Sequence, residues 1–123
     1  MPSRYGSHWM QREDIGDVTV VRLTTPRVMD DDITRAVFDP LVTLVTEMGR
    51  RNLVLNLSTA ESLPSLALGK LVMLNRMVSA VNGRLVLCHL SPSVAGALEV
   101  THLIEVLNLC GDEQEALQSF AGT

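Results

Sequence analysis

Helix-length segments alternate with short runs rich in leucine and β-branched residues, and that alternation constrains the fold more than any other feature of this chain. The runs are VTVVRL (18–23), NLVLNL (52–57), RLVLCHL (84–90) and LIEVLNL (103–109). Each is short and flanked by turn formers, as strands are, and NLVLNL is apolar enough to be covered on both faces. Strands that alternate with helices predict a mostly parallel sheet built by right-handed crossovers. Ahead of VTVVRL, the segment HWMQRE (8–13) reads as a first strand. DIGD (14–17) between them supplies the turn formers Asp14, Gly16 and Asp17. That hairpin adds an antiparallel edge. The predicted order is β-β-α-β-α-β-α-β-α, an α/β mixed sheet in one domain over residues 10–123. A flexible N-terminus over residues 1–9 precedes it. No repeat or linker interrupts the chain.

The helix ends are marked in the same way. Asp30, Asp31 and Asp32 offer N-caps before ITRAVFDPLVTLVTEM. Pro40 in that segment removes a backbone donor, so Asp39 is expected to recap a kinked or two-part helix that ends at Gly49. A second helix runs from Ser65 to near Asn82-Gly83. Ser91-Pro92 opens a third. Asp112 caps a fourth, DEQEALQSF, with Glu113 and Glu115 at the positive end of its dipole.

The totals exclude several classes of function. A chain of 123 residues builds one core, and no run approaches the roughly 20 apolar residues of a membrane span. MPSRYGSHWMQRED has no apolar stretch of the kind a secretory signal needs, so a cytoplasmic location is expected. The net charge is −4 without a basic stripe, and nucleic acid is not an expected partner. Cys88 lies in an apolar run and reads as a buried thiol. It and His89 are strand neighbours that point to opposite faces. His8 and His102 lack partners at ligand spacing, so neither metal nor cofactor is expected. No set of nucleophile, base and orienting group is present, and the chain reads as a binding protein rather than an enzyme.

One stretch holds back more chemistry than a turn requires: ESLPSLALGKLV (61–72). Serine is a preferred N-cap worth ~1 kcal/mol, and capping by itself would explain Ser65. Ser62 reads as a loop residue. Placed at the helical period, residues 66–81 divide into two arcs. Ala67, Leu68, Leu71, Val72, Leu74, Val78 and Val81, with Asn75 and Ser79 among them, should face the sheet. Leu66, Gly69, Lys70, Met73, Arg76, Met77 and Ala80 should face outward. Leu66, Met73 and Met77 are apolar for such a surface. Either neighbouring elements cover them, or they form a partner face to which methionine adapts well. A phosphoryl group on Ser65 would suit the helix N-terminus and place about −1.5 to −2 charges beside that face.

Over residues 10–120 the ordered set VTVVRL, RNLVLNLS, SLPSLALGKLVMLNRMV, NGRLVLCHLSPSVAGALEVTHLIEVL and DEQEAL resembles the STAS domain, the family of bacterial anti-sigma factor antagonists. The resemblance implies a mixed sheet with helices packed mainly against one face. It also implies a switch. The unmodified antagonist binds an anti-sigma factor that is a serine/threonine protein kinase. The kinase phosphorylates a serine at the start of the second helix, the complex dissolves, and a phosphatase resets it. Ser65 falls at the phosphoacceptor position. The family's usual Asp-Ser-Ser-Gly is here Pro64, Ser65, Leu66 and Ala67. The outward arc offers Leu66, Lys70, Met73 and Met77 as candidate partner-binding residues, and the acidic cluster Asp30, Asp31 and Asp32 lies near a loop that the family uses in partner contacts. For the acidic cluster, capping and solvation are the plainer alternative. The rival role within the same family is a scaffold that docks without phosphorylation, in a signalling assembly or a membrane lipid transporter. Self-association is a further use of the apolar arc.

Overall fold

The computed structural model describes residues 9–121, so the predicted flexible terminus, Trp9 apart, lies outside the described residues, as does His8. The sheet has five strands in the order β1-β2-β3-β4-β5. β1 (Met10–Ile15) and β2 (Val18–Leu23) form the predicted antiparallel hairpin, paired from Met10 opposite Leu23 to Ile15 opposite Val18. The first strand is shifted two residues towards the turn, which is made by Gly16 at φ +60°. Asp14 therefore belongs to the strand, where its carboxylate takes Arg12 at 2.8 Å and the Thr19 hydroxyl at 2.9 Å. β3 (Asn52–Asn56), β4 (Arg84–Cys88) and β5 (Asn108–Cys110) then add in parallel.

α1 (Asp31–Thr46), α2 (Ser65–Ala80) and α3 (Pro92–Val100) cross over between the parallel strands. They pack on one face. Val37, Phe38, Leu41 and Leu44 of α1, Ala67, Leu71, Leu74 and Val78 of α2, and Val94 and Leu98 of α3 share a core with Leu53, Leu55, Leu85 and Leu87. α4 (Glu113–Ala121) covers the opposite face, where Ala116 meets Val18, Val20, Val54, Val86 and Cys88. The period-2 alternation of side chains along each strand is what divides the apolar residues between these two layers.

Two expectations are corrected. α1 is one continuous helix with Pro40 inside it, and Asp39 does not recap it. The apolar stripe Val37, Phe38, Leu41 and Leu44 keeps its i, i+4, i+7 spacing across the proline, and that burial outweighs the missing bond. The carbonyl left without its usual donor is that of Ala36, an exposed residue. The segment 103–109 is not a strand throughout. His102 takes φ +61°, Leu103–Glu105 form a 3-10 turn, and only Asn108–Cys110 pair with β4. Leu103 and Leu107, four apart, turn inward while Ile104, Glu105 and Val106 are exposed. A helical spacing thus sat inside what reads locally as a β run.

Other caps fall where the sequence puts them. Asp30 Oδ1 accepts from Ile33 N at 2.8 Å, Ser91 Oγ from Val94 N at 3.2 Å, and Asp112 Oδ1 from Glu115 N at 2.8 Å. Gly49 at φ +67° lets the chain leave α1, with Arg50 N bonded to Leu44 O at 2.9 Å.

Candidate functional site

Beyond β2 and β3 the chain runs into two loops at the carboxyl end of the sheet. Residues 24–30 lead into α1 and residues 57–64 lead into α2. Glu61 N donates to Arg27 O at 2.8 Å, and Val28 forms an isolated parallel bridge with Ser62. The Ser91 hydroxyl holds the second loop from the other side by donating to Glu61 O at 3.2 Å. At its base, Ser58 N donates to Asn56 Oδ1 at 2.9 Å and Leu57 N to Cys88 O at 3.0 Å. The start of α2 is therefore held on both flanks. The bridge also brings the approach to Asp30 and Asp31 beside the approach to Ser65.

Ser65 is not the cap. The N-cap is Pro64, in extended backbone at φ −69° and ψ 163°, and it makes no side-chain capping bond. Its carbonyl accepts from Ala67 N at 2.9 Å and Leu68 N at 3.2 Å. Ser65 is the first helical residue, it is exposed, and no hydrogen bond engages its hydroxyl among the described residues. The proline ring pre-sets the backbone for a helix start but supplies no acceptor. Only the Ser65 and Leu66 amides are thus left open, among the described residues, at the positive end of the dipole.

Leu66, Lys70, Met73 and Met77 follow at i, i+4, i+7 and i+11, which is one strip along the helix. Met73 is exposed; Leu66, Lys70 and Met77 are half-buried, and none of the four joins the core cluster. The inward arc is as predicted for Ala67, Leu71, Leu74 and Val78. Ser79 and Val81 depart from it and are exposed, Val81 lying beyond the helix end at Ala80, and Val72 is half-buried outside the core cluster. Asn75 reaches sideways, donating to Val106 O at 3.2 Å.

The acidic cluster separates into three roles. Asp30 is the α1 cap. Asp32 lies 3.5 Å from Arg35 in an exposed pair. Asp31 is exposed at the first helical position with no bonded partner among the described residues. Val28, at 66% exposure, is the apolar residue beside them. Sequence reasoning missed it, since TTPRVMDD has no period to assign it a face.

A second polar group lies on the α4 face. Glu113 accepts from Arg22 Nε at 2.8 Å, Arg22 Nη2 at 2.9 Å and Asn56 Nδ2 at 2.6 Å. The Arg22 guanidinium holds the Glu113 carboxyl below the usual range, and Glu113 in turn raises Arg22. These bonds fasten α4 to the sheet. Burial pushes the Cys88 thiol up to about 12. No cluster of three or more His, Cys, Asp or Glu fit to hold a metal occurs among the described residues. No described helix is long and apolar enough to cross a membrane.

The STAS domain family model matches residues 10–116. The chain belongs to the STAS domain family. Solved structures with the same fold include an anti-sigma factor antagonist (STAS) domain protein from Planctomyces limnophilus, at 22% identity and TM-score 0.80, covering 91% of this chain and 97% of that one. An anti-sigma factor antagonist from Mycobacterium paratuberculosis is similar at 22% identity and TM-score 0.77, over 89% and 91% of the two chains. The Bacillus cell fate determinant SpoIIAA in its phosphorylated form is similar at 19% identity and TM-score 0.70, over 90% and 98%.

Proposed function

We propose that this STAS domain is a regulatory protein-binding module of the antagonist kind, switched by phosphorylation of Ser65. Its partner on this reading is a serine/threonine-kinase anti-sigma factor, and a phosphatase reverses the modification. The observation that carries the reading is the state of Ser65: exposed at the first position of α2, outside any cap, at the head of the strip Leu66, Lys70, Met73 and Met77. A hydroxyl spent on capping would have been explained by stability. This one is not.

The physical consequence of phosphorylation follows from its place. A phosphoryl group adds about −1.5 to −2 charges. The open Ser65 and Leu66 amides and the positive end of the helix dipole tolerate it within the chain. A partner seated on the apolar strip would have to desolvate it. Asp31 and Glu61, exposed on the adjoining loop and helix start, add like charge, so the surface turns strongly acidic on modification. Membership of the STAS family, and the similarity to anti-sigma factor antagonists, support this direction. One of them is described in a phosphorylated form. A binding role also agrees with polar groups that are committed to structural bonds.

The test begins with kinase and ATP, followed by intact mass and site mapping. Phosphate on Ser65, and at least tenfold weaker partner binding in Ser65→Asp, about 1.4 kcal/mol, are expected. Met73→Lys with Met77→Lys should weaken binding of the unmodified protein by a similar factor. If Ser65 stays unmodified beside an antagonist that is modified in parallel, and Ser65→Asp binds normally, the protein is instead a docking scaffold.

A further inference from the structure

Cys88 and Cys110 lie abreast. They are paired residues at the ends of β4 and β5, and the ladder continues past them through His89 N to Gly111 O at 3.3 Å. Both belong to the α4 face: Cys88 is in the cluster with Val86 and Ala116, and Cys110 packs against it. Neighbouring strands stand about 4.8 Å apart, inside the roughly 4.4–6.8 Å between Cα atoms that a disulfide spans. Cβ bonds of residues directly abreast run nearly parallel, so the sulfurs meet only if one strand gives way. β5 can do so, being a three-residue edge strand with every residue half-buried.

We propose that Cys88 and Cys110 are a redox-modification site, forming a reversible intramolecular disulfide when the protein meets a peroxide, with Cys110 the sulfur oxidised first. Access sets the order. Cys110 lines an open cleft of about 440 Å³ together with Ser58, His89, Leu90, Ser91 and Gly111. Cys88 is fully buried. Burial keeps both thiols protonated beyond their ordinary range, Cys88 more than Cys110, and the Glu115 carboxylate adds to the effect at Cys110. Since the thiolate is the nucleophile, attack accelerates as pH rises.

The Cys110 thiolate attacks one peroxide oxygen, the O–O bond breaks, and hydroxide leaves with the proton the thiol has lost, as water. Cys110 is then a sulfenic acid. The Cys88 sulfur attacks the Cys110 sulfur, the S–S bond forms, the S–O bond breaks, and the Cys88 proton leaves with the oxygen as a second water. Two thiols and hydrogen peroxide give one disulfide and two waters. A thiol reductant reverses the product.

The experiment treats the reduced full chain with hydrogen peroxide, blocks remaining thiols with an alkylating reagent, and reads intact mass and peptide maps under denaturing, non-reducing conditions. The expected product is a monomer that has lost two hydrogens and both thiols, restored by dithiothreitol. Cys110→Ser should slow the loss of the Cys88 thiol about tenfold or more, as expected for a buried, protonated sulfur. Cys88→Ala should stop at the sulfenic acid, trapped by dimedone at Cys110. The proposal is overturned if the wild-type chain is oxidised only between molecules, or if Cys110 accumulates oxygen while Cys88 stays free. It is equally overturned if both thiols survive a treatment that oxidises the urea-unfolded chain.

Discussion

At the first turn of α4, Glu113 binds Arg22 and Asn56 at once, and its side chain is only 22% exposed. This differs from Arg27–Glu61, at 3.4 Å with 79% and 58% exposure, where solvent screening leaves little net stabilisation. Hydrogen bonds to charged partners contribute more than neutral ones. Glu113→Gln should therefore lower stability at neutral pH by about 1–2 kcal/mol, read from urea unfolding. The pH dependence has a definite sign. A carboxyl held below its ordinary value by Arg22 stabilises the fold above the unfolded-state value. That contribution declines as pH falls through the carboxylate range and is lost once the folded-state carboxyl protonates. The wild type should lose stability on acidification below about pH 4.5, while Glu113→Gln lacks this component. A parallel decline in both proteins would remove Glu113 from the acid limb.

The connection from α2 to β4 takes three residues, 81–83, and passes close against the entrance to β3. Asn82 takes φ +62° and Gly83 N closes the helix end on Val78 O at 2.7 Å. A Cβ on Gly83 would fall on the carbonyl of Arg51, which is held by Arg84 N at 3.0 Å. The obstacle is backbone at the entrance to β3, so it has little room to yield. Gly83→Ala should destabilise by about 1–3 kcal/mol, as overpacking does. The readout is a lower denaturant midpoint at unchanged m value. An unchanged midpoint would mean that β3 and the turn separate freely. The sequence marked this glycine as a helix stop; the close approach to Arg51 is what makes it necessary. Pro40 shows the reverse case, where a strong local signal for a helix break yielded to the packing of Phe38 and Leu41 on the sheet.

In the whole molecule the two sheet faces are covered unequally, by three helices on one side and α4 alone on the other. Val20, Val54 and Val86 are fully buried on the α4 side. Exposing them costs about 1.5–3 kcal/mol each, against a total stability of about 5–15 kcal/mol for a domain. Removing residues 112–123 should abolish cooperative thermal unfolding and produce strong binding of a hydrophobic dye. A sharp transition in the truncated chain would show that the three-helix face suffices. The cover also places the Cys88–Cys110 pair on the α4 side of the sheet, away from the α2 strip on the other.

The sequence alone determined the element order, the antiparallel edge and most caps, because period, turn residues and capping groups act over a few neighbours. It also determined the inward face of α2 from Ala67 to Val78. What only the tertiary structure decided required distant segments to meet. Ser65 lost its expected cap role because extended backbone at Pro64 moved the cap one residue back. Val28 came beside Ser62 through a single bridge between two loops. Glu113 found Arg22 across 91 residues of chain and Asn56 across 57, two residues that β2 and β3 pair side by side. Residues 103–107 left the β pattern because Leu103 and Leu107 could both reach the core only in a turn. Local signals fix which way a segment tends to fold, and burial against other segments decides which tendency is kept.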